Sequence, residues 1–144
     1  MNSHDDAIYR LDLARGYAKE ANTDFRARHW WSCVSNAQVA IENAGKAIIE
    51  CYEPAEKVHE VSPQMTRLLG KGLMPATIQK TFEELVPIFT QHGRTEHIQS
   101  TYGDDRTRTP PWKIYDKAKA TESVSDMRKV ILMAQKVIKQ HFGK

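Results

Sequence analysis

At 144 residues the chain has the length of one domain, taken as residues 1–144, because domains run to roughly 150 residues. It is 40% hydrophobic and 27% charged, with 7 Gly and 6 Pro, a balance that excludes wholesale disorder and collagen-like or low-complexity repeats. The net charge of +3 is unevenly spread: ten Lys/Arg against three Asp/Glu leave Arg106–Lys144 at +7, while residues 1–105 carry −4.

From Asp5 to Phe25, Ile8, Leu11, Ala14, Ala18, Ala21 and Phe25 recur at steps of three or four, one stripe of an amphipathic helix. Arg26-Ala27-Arg28 suits a tight connection. The interval His29–Tyr52 carries Trp30, Val34, Ala37, Ile41, Ala44, Ile48 and Cys51 at alternating steps of four and three. Cys33, Ala40 and Ala47 add a second apolar flank, as a helix buried on several sides requires. Pro54 ends it. Residues 54–75 read as a connection with one short helical turn, capped by Ser62 before Pro63 and stopped at Gly70-Lys71-Gly72. A third long helix is predicted after Pro75, through Ile78, Phe82, Leu85, Ile88 and Phe89, with a kink at Pro87. His92-Gly93 ends or bends it, and a further turn follows from Arg94 to Ser100. Residues 102–116, with Gly103 and Pro110-Pro111, read as an extended loop without regular structure. The last helix is expected from Ala118 or Ser123 to Phe142, with Ser123-x-x-Asp126 as a capping box. Period-two alternation is absent. The expected fold is all-α: an up-and-down bundle of four long helices plus one or two short ones.

No run of about 18 apolar residues occurs, so no membrane span is expected. The acidic opening Met1-Asn2-Ser3-His4-Asp5-Asp6 lacks a basic-then-apolar leader, which points to the cytoplasm. Cys33 and Cys51 stand 18 residues apart on one helix, about 27 Å at ~1.5 Å per residue, too far for a disulfide. The histidines His4, His29, His59, His92, His97 and His141 contain no His-x-x-x-His pair, so no metal site and no cofactor are expected. Neither a Walker A loop nor a Gly-x-Ser-x-Gly elbow is present.

Two groups of residues remain as candidates for binding. Gln38, Glu42 and Lys46 form one line along the second helix, either a solvent face supported by i, i+4 pairing or the polar wall of an interhelical groove. His92, Arg94, His97, Tyr102, Arg106 and Arg108, with Trp112 beyond, combine guanidinium forks for phosphate, imidazoles that titrate near neutrality and rings that stack on bases. That mixture suits RNA or a nucleotide; the alternative is a set that caps helices and anchors loops. The basic last helix also suits an acidic partner protein.

Ala37-Gln38-Val39-Ala40-Ile41-Glu42-Asn43-Ala44-Gly45-Lys46-Ala47, Tyr102-Gly103, and Arg108-Thr109-Pro110-Pro111 with Tyr115 together resemble the HEPN (higher eukaryotes and prokaryotes nucleotide-binding) domain family across nearly the whole chain. The resemblance implies a helical bundle that commonly forms a homodimer and is often paired with a minimal nucleotidyltransferase, the HEPN member acting as an RNase toxin and its partner as the antitoxin. Catalytic members carry Arg-x4–6-His, in which Arg steadies the scissile phosphate and His assists attack by the 2′-hydroxyl without metal. No arginine here has a histidine five to seven positions later, and Arg94-Thr95-Glu96-His97 is the nearest approach. The expected function is therefore binding of RNA, a nucleotide or a nucleotidyltransferase partner without strong catalysis. The alternatives are a metal-independent RNase toxin that uses Arg94 and His97, and a protein-interaction module.

Overall fold

The computed structural model describes residues 3–143. Its helices are α1 (Ser3–Arg26), α2 (Trp30–Glu50), α3 (Ser62–Gly70), α4 (Ala76–Gln91), α5 (Arg94–Tyr102), α6 (Pro111–Ile114) and α7 (Lys117–Phe142). Among the described residues, four long helices make the expected all-α bundle, with three short ones rather than one or two. Among the described residues the sole β pairing is an isolated antiparallel bridge between Asp104 and Thr109.

α2 is the axle of the bundle. From Ala40 to Ile49 every residue is buried, because α1, α7 and α5 pack around it, with α4 and α6 touching its remaining sides. α1 presents Ala7, Leu11, Ala14, Ala18 and Ala21, and the four alanines are small enough to let two helix backbones approach closely. On the α4 side, Gly45 serves the same end. A methyl group there would stand 2.6 Å from the Phe89 ring and 2.9 Å from Val61, closer than carbon atoms pack. α7 closes the core with Ala120, Val124, Met127, Val130, Ala134, Val137 and Ile138.

Several local expectations change. α3 is a full nine-residue helix, and Ser62 lies inside it rather than capping it, its hydroxyl donating to Glu60 Oε1. α4 contains Pro87 within its span, as expected of the third long helix, at an exposed position. α7 starts at Lys117, earlier than the Ser123 capping box suggests. Asp116 is its cap and accepts from the backbone N–H of Lys119 at 3.0 Å. Ser123 is buried mid-helix.

The segment expected to lack regular structure is organised as well. Asp104 and Thr109 exchange both backbone hydrogen bonds, and α6 follows at once. Gly103 makes this possible, with φ +80° and the Thr109 carbonyl so near that a Cβ could not fit. The hairpin thus folds back onto the end of α5 and delivers α6 against it.

Among the described residues no helix is long and apolar enough to cross a membrane. Cys33 and Cys51 are buried free thiols. Burial, with Asp24 adding, pushes Cys33 up to about 11, and burial, with Glu50 adding, pushes Cys51 up to about 12, so neither is a ready nucleophile.

Candidate functional site

The polar line on α2 faces inward. Gln38 is fully buried, and Glu42 and Lys46 are each 7% exposed, so the line is not a solvated face and each polar atom needs a partner. Lys46 Nζ donates to Glu42 Oε2 at 3.1 Å. The other Glu42 oxygen, Oε1, accepts from Gln38 Nε2 at 3.3 Å and pairs with His59 Nδ1 at 2.9 Å. His59 comes from the connection between α2 and α3, and half of its side chain is open to solvent.

Gln38 fixes the protonation of His97. Its Nε2 also meets the backbone carbonyl of His92 at 3.3 Å. Both of its neighbours there accept only, so the amide nitrogen must be the group facing them. Gln38 Oε1 then faces His97 Nδ1 at 2.8 Å, and an amide oxygen requires a donor. In the neutral ring the His97 proton therefore sits on Nδ1 and leaves Nε2 with a lone pair. The ring stacks on His59 with centroids 3.8 Å apart and planes 17° apart. Burial lowers the His97 pKa and the neighbouring His59 lowers it further, against a smaller opposing pull from Glu42, so His97 is held neutral. One donor atom each of Glu42, His59 and His97 lies within 4.8 Å of the other two. A search for local His-x-x-x-His spacing could not find this trio, because its members come from α2, a connection and α5.

His92 serves a different purpose. It is 2% exposed, with Nδ1 at 2.7 Å from Glu96 and Nε2 at 2.8 Å from Asp126. Burial alone would lower its pKa, but hydrogen bonds and charge from Glu96 and then Asp126 outweigh that and hold it above the ordinary histidine value. An imidazolium with both N–H groups committed is a buried clasp between the α4–α5 corner and α7. Beside it, Glu60 accepts from the backbone N–H of Arg94 at 3.0 Å, a carboxylate at the positive end of α5.

The other candidates lie further along. Arg94 is exposed on the first turn of α5, three positions before His97 and on the same helical face. Tyr102 closes the helix eight positions after Arg94, about 12 Å away at ~1.5 Å per residue, and is 75% exposed. Arg106 and Arg108 project from the hairpin, both exposed. Arg108 has φ +53°, a left-handed conformation unfavourable for a residue with a Cβ. Trp112, on α6, is 63% exposed and meets Trp31 of α2 edge-on at 6.3 Å. Arg28, three positions before Trp31, shares the left-handed backbone at φ +61°. None of Arg28, Arg94, Arg106 and Arg108 has a carboxylate partner among the described residues. Trp31, Arg28, His59 and Glu60 are the members of the region that sequence reasoning missed.

Comparison with known proteins agrees with the helical order. The chain is similar in fold to TT1696 from Thermus thermophilus, with a TM-score of 0.65 at 15% identity, over 91% of this chain and 97% of that one. No curated protein matches it. The HEPN domain model matches residues 8–137, which span α2 with its Gln38–Glu42–Lys46 line, all of α5 and α6, and most of α7. The chain belongs to the HEPN domain family.

Proposed function

We propose that the protein binds single-stranded RNA or a nucleotide on the surface formed by the end of α5, the 104–109 hairpin and α6. The carrying observation is the exposed Trp31–Trp112 pair, together with exposed Tyr102 at the end of α5 and the unpaired guanidiniums of Arg106 and Arg108 on the hairpin that leads into α6. Exposed aromatic faces offer stacking for bases, and arginines without carboxylate partners are free to take phosphate oxygens. The surplus positive charge of the C-terminal third strengthens attraction to a polyanion. Titrating an unstructured oligoribonucleotide while following tryptophan fluorescence tests this. Saturable quenching whose affinity falls steeply with salt is expected, since phosphate neutralisation releases counterions; absent or salt-insensitive binding overturns it.

A second reading, metal-independent cleavage of RNA by Arg94 and His97, is favoured by the neutral His97 ring with its free Nε2 one helical turn from an exposed arginine. In that reading Nε2 takes the proton of the 2′-hydroxyl. His97→Ala then abolishes cleavage in the presence of a chelator, and a wild type that cleaves nothing removes the reading.

We also propose a homodimer through the outer face of α1, where exposed Tyr9 and Tyr17 flank Leu13 and Gly16. Light scattering should give twice the chain mass for the wild type and a lower mass for Tyr17→Asp. A nucleotidyltransferase partner, and with it a toxin–antitoxin role, rests on family membership and on the exposed lysines of α7, and co-purification with such a partner is its test.

A further inference from the structure

We propose that Glu42, His59 and His97 form a binding site for one divalent transition-metal ion of the zinc type, with a fourth position open to solvent. Two imidazoles and one carboxylate match the donor set of three-ligand zinc sites, and two nitrogen donors disfavour magnesium and calcium, which take oxygen.

The surroundings are those of a ligand set rather than a chance meeting. A metal-ligating histidine characteristically gives its second ring N–H to a fixed acceptor, which sets the tautomer and aims the free nitrogen. Gln38 does this for His97: its oxygen holds Nδ1–H at 2.8 Å while its nitrogen is pinned by Glu42 and the His92 carbonyl. The ligand offered is the nitrogen that Gln38 does not hold. Glu42 is divided in the same way. Oε2 is occupied by Lys46, and Oε1 points to His59 at 2.9 Å. A proton on His59 Nδ1 now bridges that pair, and a cation would take its place.

The required movement is a rotation of His59 out of its stack, because an imidazole lone pair lies in the ring plane and the His59 and His97 rings lie nearly parallel with centroids 3.8 Å apart. Donors at ~2.0–2.1 Å from a tetrahedral ion stand about 3.3 Å apart. Glu42 Oε1 and His59 Nδ1, now 2.9 Å apart, would separate slightly, and one donor atom of each of the three residues lies within 4.8 Å of the other two. His59 is the member free to move, because it sits on the connection between α2 and α3 with half its side chain in solvent. Its exposure also supplies the entry path and the open coordination position. Glu42 and Lys46 cancel in charge, so the bound ion keeps its full charge towards an incoming oxygen ligand such as a phosphate.

This inference stands apart from RNA binding and needs no nucleic acid for its test. It bears on the cleavage reading, since an ion on His97 takes the lone pair that base catalysis uses, and zinc would then inhibit cleavage. The experiment is calorimetric titration of the chelator-stripped full chain with zinc chloride alone, repeated with cobalt(II) to read its visible absorption. One ion per chain is expected, with the intense visible bands of four-coordinate cobalt(II). His59→Ala and His97→Ala should weaken binding at least tenfold, and His29→Ala and His141→Ala should leave it unchanged. If His97→Ala loses its helical circular dichroism, His59→Ala and His59→Gln decide the matter. Non-stoichiometric binding, or stoichiometric binding that survives His59→Ala, overturns the proposal.

Discussion

Along α5 the environment of the polar groups reverses within about 12 Å, or eight residues at ~1.5 Å each. At the inner end His92, His97, Gln38, Glu42 and Lys46 are held in a closed set of hydrogen bonds. At the outer end Tyr102, Arg106, Arg108 and Trp112 reach into solvent, the arginines without counterions. Both ends hold residue types that serve phosphate chemistry, but the free energy is spent differently. Inner groups stabilise the fold through their partners and lose much when one is removed. Outer groups contribute almost nothing to folding and are free to meet a ligand.

Substitutions should separate the two ends, and the largest effect belongs to Glu42. In Glu42→Ala the buried Lys46 ammonium loses its acceptor and the Gln38 amide one of its two, and folding should weaken by about 3–5 kcal/mol, read from urea unfolding. A loss under about 1 kcal/mol would mean that Lys46 reaches water. Gly45→Ala, which drives a methyl into Phe89, should cost about 1–3 kcal/mol by overpacking on the same measurement. At the outer end, Trp112→Ala should weaken RNA binding by about 1–3 kcal/mol through lost stacking. Arg106→Ala and Arg108→Ala should each lower the salt slope of binding by about one, with folding changed by no more than about 0.5 kcal/mol. Any of these outer variants that unfolds the chain erases the distinction.

Acidity sharpens it further. His92 binds its proton more tightly folded than unfolded, so its contribution is complete below the ordinary value of 6.5 and is lost as pH rises through the higher folded value. His97 has the opposite sign. Its folded value is lowered, so it destabilises fully below that value and not at all above 6.5. Urea midpoints of the wild type should therefore fall as pH rises above 6.5. In His92→Gln that fall should disappear, leaving a rise with pH through the His97 window.

The bundle was legible because its helices bury stripes with a regular period. The steps from Trp30 to Cys51 locate α2, and the extra flank of Cys33, Ala40 and Ala47 already announces burial on several sides. Helix starts were harder to read. Ser62 and Ser123 have capping chemistry, but packing buries both, and the working cap is Asp116. The hairpin hid because its order comes from Gly103 yielding to the Thr109 carbonyl, a contact with no periodic signature. In the site, Gln38, Glu42, Lys46 and His97 were nameable from helical spacing and local composition. His59 was not, since 17 residues of chain separate it from Glu42 and nothing near it is patterned. Trp31 was hidden likewise, its partner Trp112 lying on a distant helix.

The enclosure of α2 sets where movement is allowed. Backbone amides between Ala40 and Ile49, shielded on every side, should exchange hydrogen for deuterium only when the entire chain opens. The floor that carries Glu42 and Gln38 is thus the slowest part of the molecule to breathe. Any rearrangement that admits an ion or an RNA strand must come from the walls, from the connection bearing His59 and from the short α5, whose amides are expected to exchange earlier.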